Sequence, residues 1–310
     1  MNNLTSVSEF LLLGFSDIQE LQILNFFVFV AMYLAALTGN LLIIVAVALD
    51  HHLHTPMYFF LVNLATVDLG LISTLVPKAM TNSIMNSRSI SYFGCAAQVF
   101  MYLLFAASDF FFLIIMAHDR YVAICNPFQY ETLMHKGACI RMAVGAWISG
   151  ILYAILHTGG TFANTFCSNI INQFFCEIPQ LLKLSCSDFY LVEIGLLIFS
   201  FVIAVGCFTF IVLTYVNIFA TLLRIPSVKG QKKALSTCIP HLTVVSLLLF
   251  TALFAYGKPP ANTSSDLDIV FSVIYTILPP LLNPFIYTMR NKAMKCALLK
   301  LFSSEHFCNH

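Results

Sequence analysis

Charged side chains are scarce in this chain of 310 residues, and only 9% of its residues are Asp, Glu, Lys or Arg. Hydrophobic residues, by contrast, make up 59%. A soluble domain of this length carries about 25% charged residues, since its surface must be hydrated. The shortage of charge therefore excludes an ordinary soluble domain and favours a protein that crosses a membrane several times.

Motifs of enzymes and of nucleic-acid-binding proteins are also lacking. The chain has no phosphate-binding loop, no cysteine and histidine spacing suited to a metal, and no plausible grouping of serine, histidine and acid. Its formal net charge is +1, and no basic stripe lies outside the positions that flank apolar runs. We therefore expect no enzymatic activity, no cofactor and no nucleic-acid partner.

What the sequence has is seven apolar runs, each long enough for the roughly 20 residues that a bilayer span requires. Five of the runs carry no charge between their end residues, and the other two carry Asp68, Lys78 and Asp109. This spacing predicts an all-α membrane protein, built as a bundle of seven transmembrane helices. The runs occupy residues 21–49, 57–84, 90–118, 141–177, 193–224, 233–258 and 268–290.

The distribution of basic residues predicts the orientation, because Lys and Arg near helix ends are retained on the cytoplasmic side. With the N-terminus outside, eleven of the 15 Lys and Arg residues fall on inner segments. We expect a multi-pass plasma-membrane protein with an extracellular tail at 1–24, a helical region at 25–289, and a cytoplasmic tail at 290–310 that includes a short amphipathic eighth helix. The glycosylation acceptors Asn3 and Asn262 lie on the predicted outer side.

Short motifs stand at fixed places along these runs. The longest closes the third run at 116–127 and reads Met-Ala-His-Asp-Arg-Tyr-Val-Ala-Ile-Cys-Asn-Pro, although an acid beside a base also suits a plain water interface. Its companions are Gly-Asn at 39–40, Leu-His-Thr-Pro-Met-Tyr-Phe-Phe-Leu at 53–61, Lys-Ala-Leu-Ser-Thr-Cys at 233–238 and Pro-Leu-Leu-Asn-Pro-Phe-Ile-Tyr at 280–287. Together they resemble the odorant receptors, a branch of the rhodopsin-like G-protein-coupled receptors, over nearly the whole chain.

The resemblance implies a receptor that binds small, mostly apolar volatile molecules within the helix bundle. It also implies activation of a stimulatory, olfactory-type heterotrimeric G protein and a rise in cAMP. The implied partners are thus an odorant, the G protein and membrane lipid. Two alternatives stay open: a rhodopsin-like receptor for another small lipophilic ligand, and a seven-helix transporter or channel.

The family's ligand positions fall on helices three, five, six and seven of this sequence, beneath the second outer loop. Tyr102 occupies the place where amine receptors carry an acid, so we expect no cationic ligand. The set forms an uncharged lining with four hydroxyls, suited to a small apolar molecule with one alcohol, ketone or ester group, and ordinary packing between helices is the alternative. The residues are Tyr102, Leu103, Ala106, Ala107, Phe199, Ser200, Ile203, Ala252, Leu253, Tyr256 and Thr276.

The resemblance further implies residues that couple ligand binding to the G protein. Arg120 is expected to leave a contact with Asp119 on activation. Tyr215 and Tyr287 are then expected to support the open form. Pro240 stands where the family has a small residue, and it would bend the sixth helix. The implied coupling residues are Asp119, Arg120, Tyr121, Tyr215, Asn283, Pro284 and Tyr287.

Four cysteines lie on the predicted outer side, where disulfides persist, and the sequence alone permits three ways of pairing them. The resemblance implies the pairs Cys95 with Cys176 and Cys167 with Cys186. The first pair would tether the second outer loop to the third helix.

The two intramembrane acids are candidate functional residues. A bare carboxylate at membrane depth costs at least about 2.5 kcal/mol, so Asp68 and Asp109 must face the bundle interior. The resemblance implies a sodium site made by these acids with Asn40 and Asn283, where Asp109 replaces the family's glutamate. Two buried, hydrogen-bonded acids without an ion are the alternative.

Overall fold

A computed structural model describes residues 7–13, 18–85, 88–187, 189–224, 226–256 and 266–302. Within these ranges, the side chains of residues 233, 251–256, 266–271, 275, 289, 290 and 302 lie outside the description. Asn3 and Asn262 also lie outside the described residues, so their proposed glycosylation stays a prediction from the sequence.

Seven long helices and one shorter helix make up most of the described chain. The predicted seven-helix bundle with an eighth helix is confirmed. Within the described residues, the first six helices each contain a stretch long and apolar enough to cross a membrane. The eight helices are α1 (Gln19–Leu49), α2 (Pro56–Met85), α3 (Tyr92–Cys125), α4 (Lys136–Phe162), α5 (Tyr190–Arg224), α6 (Val228–Tyr256), α7 (Asp266–Arg290) and α8 (Lys292–Phe302).

Several helices are longer than the bilayer core requires. The 31 residues of α1 would extend for about 46 Å at 1.5 Å per residue. A hydrocarbon core is about 30 Å thick, so polar turns of the same helix stand in the interface or in water. α1 accordingly begins at Gln19, six residues before the predicted boundary at 25, because counting apolar residues misses a polar first turn.

Side-chain caps mark the beginnings of α3 and α4. Ser91 Oγ accepts a hydrogen bond from Gly94 N at 3.1 Å, and His135 Nδ1 accepts one from Ala138 N at the same distance. Each bond satisfies a backbone N–H that the first helical turn leaves without a partner. The caps fix where the chain leaves the loop and enters the membrane.

A small sheet covers the end of the bundle that contains the predicted second outer loop, and the all-α expectation omitted it. Strand β1 (Glu9–Leu12) pairs antiparallel with β2 (Ser89–Ser91) and parallel with β3 (Ile170–Ile171). Phe10 and Leu12 on β1 are buried beneath it. The N-terminal segment is therefore part of a folded cover, and only its remainder qualifies as a tail.

Two disulfides hold the loop between α4 and α5. Cys95 near the start of α3 is bonded to Cys176, and Cys167 is bonded to Cys186, the pairs implied by the resemblance. Gln98 Oε1 also accepts a hydrogen bond from Cys176 N at 2.9 Å. The loop is therefore anchored to α3 by a covalent bond and by a buried hydrogen bond.

Close approach between α1 and α7 depends on a glycine. A Cβ atom added to Gly39 would lie 2.9 Å from Pro284 Cβ, so a larger side chain would push the helices apart. The adjacent Asn40 Nδ2 donates to Pro280 O across the same contact at 3.0 Å. The Gly-Asn motif thus joins the first helix to the motif that closes the seventh.

Candidate functional site

A cavity of about 550 Å³ lies in the half of the bundle nearest the covering loop, mainly between α3, α4 and α5. Seven of the eleven predicted ligand residues line it. Phe175 from the loop is fully buried, and its ring centroid lies 5.8 Å from that of Tyr102. The loop therefore packs directly on this cavity, which we call the outer cavity. The seven residues are Tyr102, Leu103, Ala106, Ala107, Phe199, Ser200 and Ile203.

Of the remaining predicted ligand residues, only Thr276 has a described side chain, and it does not line this cavity. Thr276 on α7 is buried, and its Oγ1 donates to Ser272 O at 2.6 Å, four residues back in the same helix. This hydroxyl is therefore already occupied. The side chains of Ala252, Leu253 and Tyr256 lie outside the described part of α6.

Helix α4 contributes a wall that the sequence-based set omitted. Ser149, Leu152, Tyr153 and Leu156 line the cavity at spacings of three and four residues, which place them on one helical face. Leu152 is 60% exposed and Phe199 on α5 is 62% exposed, so the cavity opens sideways between these two helices. In a bilayer, this open side faces lipid.

The floor of the outer cavity adds Asp68 and Asp109, two acids that the predicted ligand set did not include. Asp109 lies one helical turn after Ala106 on α3. The cavity therefore extends beyond the predicted ligand residues of α3 and reaches Asp109. Asn283 Nδ2 donates to both carboxylate oxygens of Asp68, at 3.0 and 3.2 Å. The lining is thus apolar above and polar at its base.

The polar base has the chemistry of a site for a hard cation. Asn40 Oδ1, Asp109 Oδ1 and Asn283 Oδ1 are buried and have no hydrogen-bond partner among the described residues. Carboxylate and amide oxygens are suitable ligands for such a cation. The residues of the implied sodium site therefore fit the ion by their donor atoms.

A second cavity, of about 810 Å³, opens at the opposite end of the bundle. We call it the inner cavity. Arg120 and Tyr287 line it, together with Lys229, Lys232 and Lys292. Most of the surface of Arg120 is buried, yet its Nε has no hydrogen-bond partner in the described structure. The inner cavity therefore presents cationic side chains, one of which keeps unused hydrogen-bonding capacity.

The contact with Asp119 that Arg120 is expected to leave on activation is not present in the described arrangement. Asp119 Oδ1 accepts a hydrogen bond from Tyr130 Oη at 2.8 Å, and among the described residues it forms no ion pair with Arg120. Tyr130 belongs to a short helix, Tyr130–Leu133, that folds back on α3. Burial raises the pKa of the Tyr130 hydroxyl, and the Asp119 carboxylate raises it further. Tyr121, next to Arg120, is half-buried at the end of α3.

A hydrogen-bonded histidine joins three helices above the inner cavity. His241 Nε2 lies 2.9 Å from Leu113 O, and a carbonyl oxygen can only accept, so Nε2 carries the hydrogen. His241 Nδ1 then accepts from Tyr215 Oη at 2.8 Å. Tyr215 on α5, His241 on α6 and the backbone of α3 are thus linked, whereas Tyr287 Oη has no partner among the described residues.

Comparisons with known proteins identify the family. The sequence model described as "Olfactory receptor" matches residues 29–305. Olfactory receptor 14A16 of Homo sapiens is 50% identical over 98% of this chain and 99% of its own length. The human olfactory receptor 14I1 is 49% identical over 99% of both chains, and the Gorilla gorilla gorilla olfactory receptor 1G1 is 46% identical over 96% of both. The chain belongs to the olfactory receptor family. Olfactory receptors are signalling receptors, so the expectation that the chain is not an enzyme is confirmed.

A serine, histidine and acid grouping does occur in this olfactory receptor, contrary to the expectation from the sequence. Glu193 Oε1 lies 2.6 Å from His157 Nδ1, and His157 Nε2 lies 2.9 Å from Ser200 Oγ. Ser200 is inside the continuous helix α5, whose backbone N–H groups are bonded within the helix. Among the described residues, no oxyanion site of free backbone donors adjoins Ser200, so the grouping lacks what acyl-transfer chemistry requires.

Sequence reasoning could have found part of this grouping in the receptor. His157 lies four residues after Tyr153 on α4 and is a polar residue within an apolar run. Glu193 is the first residue of the fifth apolar run, where a charged residue also indicates the boundary of a membrane span. A carbon atom added to Gly160 would clash with Glu193 Oε2, so this glycine leaves the space that the carboxyl group occupies.

Proposed function

We propose that this receptor binds small, mostly apolar volatile molecules in the outer cavity and activates a stimulatory, olfactory-type G protein at the inner cavity, raising cAMP. The outer cavity supports this most strongly, because the family's ligand positions on α3 and α5 converge on one space beneath the tethered loop. Lys229, Lys232 and Lys292 would face the acidic or phospholipid-rich inner surface.

The ligand's affinity derives mainly from apolar burial. Covering on the order of 200 Å² of ligand surface contributes about 5 kcal/mol at 25 cal/mol per Å². Lost translational and rotational freedom offsets much of this gain, so we expect modest affinity and broad tuning. The side opening between α4 and α5 lets a lipophilic ligand enter from the membrane.

Activation is a shift in population between two arrangements of the helices. A ligand moves this equilibrium only through its different affinities for the two states. The described arrangement has both an open inner cavity and the Tyr215–His241 hydrogen bond, and we assign it to the open form. Pro240 precedes His241 and removes a backbone hydrogen bond from α6, which eases the movement of its inner end.

A sodium ion at the polar base would favour the resting state. Asp68, Asp109, Asn40 and Asn283 would hold it, and the unpartnered oxygens of the last three support this assignment. The ion would supply a positive charge that stabilises the buried carboxylates. Pro284, which contacts α1 at Gly39, keeps Asn283 close to these helices.

The receptor is proposed to lie in the plasma membrane with its N-terminus outside and its C-terminus inside. The two disulfides support this orientation, because such bonds persist in oxidising surroundings. The glycosylation acceptors Asn3 and Asn262 belong to the same side. Membrane lipid surrounds the exposed apolar side chains of α5.

A variant of the inner arginine tests the coupling role. Arg120→Ala removes the buried cation of the inner cavity, and we expect odorant-evoked cAMP to be lost at unchanged surface delivery. Arg141→Ala is the matched control, since Arg141 is exposed on α4 and does not line the cavity. A full cAMP response from Arg120→Ala would contradict the assignment. Ligand-evoked ion current without a G protein would instead favour the transporter or channel class.

A further inference from the structure

A chain of polar side chains crosses from α5 to α4 beside the outer cavity. Glu193 and His157 are fully buried, with 2.6 Å between Oε1 and Nδ1. His157 Nε2 lies 2.9 Å from Ser200 Oγ. Ser200 lines the cavity, whereas the other two residues lie behind it. The chain therefore connects a buried carboxyl group to a hydroxyl that a ligand can contact.

The surroundings of the pair determine how many protons it holds. Among the described residues, Glu193 is paired with His157 and with no Lys or Arg. Both side chains are fully buried, so a net negative charge on the pair is costly. Glu193 Oε2 has no hydrogen-bond partner in the described structure, which raises the cost for an ionised carboxylate with no counter-charge. One proton is therefore shared between Glu193 Oε1 and His157 Nδ1, and the pair is neutral.

This proton count fixes the direction of the next hydrogen bond. With a proton between Glu193 and Nδ1, the neutral pair also carries a hydrogen on Nε2. Nε2–H must therefore donate to Ser200 Oγ, and Ser200 keeps its own hydrogen. Thr209 on the same helix donates its hydroxyl hydrogen to Val205 O at 2.8 Å, but Ser200 forms no such bond within the described helix.

Tyr153 packs against this chain on the cavity wall. Its ring centroid lies 4.3 Å from that of His157, and Tyr153 and Ser200 both line the cavity. Because Ser200 Oγ accepts from His157, the Ser200 hydrogen is left to donate, and it has no acceptor among the described protein groups.

We propose that Glu193, His157 and Ser200 form a relay that presents one oriented hydroxyl donor to the ligand, so that the receptor prefers volatile carbonyl compounds to alcohols. This inference rests on the proposed function, because it assumes that the outer cavity is the odorant site. A carbonyl oxygen accepts the hydrogen and brings no donor of its own. An alcohol bound at Ser200 also accepts it, but its own hydrogen then faces the apolar side chains next to Ser200 and not the polar base, which costs a factor of roughly 5 to 150 in affinity.

The test measures cAMP in cells that express the full-length tagged receptor with the olfactory stimulatory G protein. The probes are octanal with octanol, and benzaldehyde with benzyl alcohol, and octane and toluene serve as hydrocarbon references. For the wild-type receptor, we expect each alcohol to need about tenfold or more the concentration of its aldehyde for half-maximal response.

Two double variants remove the relay in different ways. Ser200→Ala with Tyr153→Phe removes the relay hydroxyl and the tyrosine hydroxyl that lines the cavity beside it. His157→Phe with Glu193→Leu keeps both hydroxyls but removes the pair that orients them, and leaves no buried charge unpaired. In each variant, we expect the ratio of alcohol to aldehyde concentrations to fall to about one. Surface delivery, measured from the tag, identifies any variant that fails to fold.

The matched control is Ser149→Ala with Tyr102→Phe, which also removes one serine and one tyrosine hydroxyl from the same cavity. This control is expected to change aldehyde and alcohol responses together and so to keep the ratio. Equal potency of alcohols and aldehydes on the wild-type receptor, or an unchanged ratio in both relay variants, would overturn the relay. A surface-delivered wild-type receptor that responds to none of the probes, nor to a wider volatile panel, would overturn the proposed function itself.

Discussion

The bond between Tyr215 and His241 gives a prediction whose size follows from the geometry. Tyr215→Phe removes the hydroxyl that donates to His241 Nδ1 at 2.8 Å. Both residues are buried, at 3% and 0% exposure, so no water replaces the lost donor. A buried acceptor without a partner costs about 1–3 kcal/mol. If the bond belongs to the open form, the population of that form falls by a factor of about 5 to 150.

The assay is cAMP per receptor at the cell surface, both without ligand and over a range of odorant concentrations. We expect Tyr215→Phe to lower the basal signal and to shift the odorant curve to higher concentration. Tyr33→Phe is the control, because it removes a tyrosine hydroxyl from the other end of the bundle, where Oη lies 3.3 Å from Ser73 Oγ.

A double-mutant cycle isolates the bond. His241→Leu already removes the acceptor, so adding Tyr215→Phe should cost less than it does in the wild-type receptor. Strict additivity of the two changes, or a wild-type basal signal from Tyr215→Phe, would refute the assignment of this bond to the open form.

Three further predictions concern packing, the polar base and α8. Gly150→Ala should destabilise the fold, because the new Cβ would lie 2.9 Å from Leu104 O. Each kcal/mol of lost stability should lower the melting temperature of the purified receptor by about 2–4 °C. Gly145→Ala is the control and should not lower it, because a Cβ added there has nothing within 4 Å. Asp109→Asn should abolish any effect of external sodium on basal cAMP, and persistence of that effect would argue against the sodium site. Burial acts to raise the pKa of Asp50, but hydrogen bonds from Lys300 and from the backbone lower the pKa overall. The Asp50–Lys300 ion pair should therefore persist at neutral pH and be lost only as pH falls below the ordinary Asp value of 3.8, which a probe on α8 would report.

The helices were predictable because each apolar run carries its own length signal, independent of what it packs against. The ends of the helices were less predictable. Lys136 and the turn that follows it belong to α4, although the charge-free interval begins only after Arg141. A count of apolar residues assigns a charged first turn in the membrane interface to the preceding loop, although that turn is helical.

The outer sheet was not predictable from local pattern. Its strands have two to four residues, too few for an alternating pattern to stand out, and β1 lies far in sequence from its partners. Pairing across such distances depends on the disulfide-held loop, which only the assembled bundle positions.

Within the site, residues on single helices were easier to predict than contacts between helices. The positions on α3 and α5 that line the outer cavity followed from the resemblance. The Asp119–Tyr130 bond and the His157–Glu193 pair did not, because each joins segments whose approach is set by tertiary packing. The sequence contains Asp119 and Glu193, but it does not show which side chain forms a hydrogen bond with each of them.

Filling the outer cavity tests the central claim most directly. Ala106 lines this cavity on α3, and Ala106→Phe would place a ring in the space assigned to the odorant. The measurement is odorant-evoked cAMP, with surface delivery determined on the same cells. We expect the response to be lost or shifted by at least about tenfold in concentration while the receptor still reaches the surface. An unchanged dose–response curve for Ala106→Phe would contradict the claim that ligands act from this cavity.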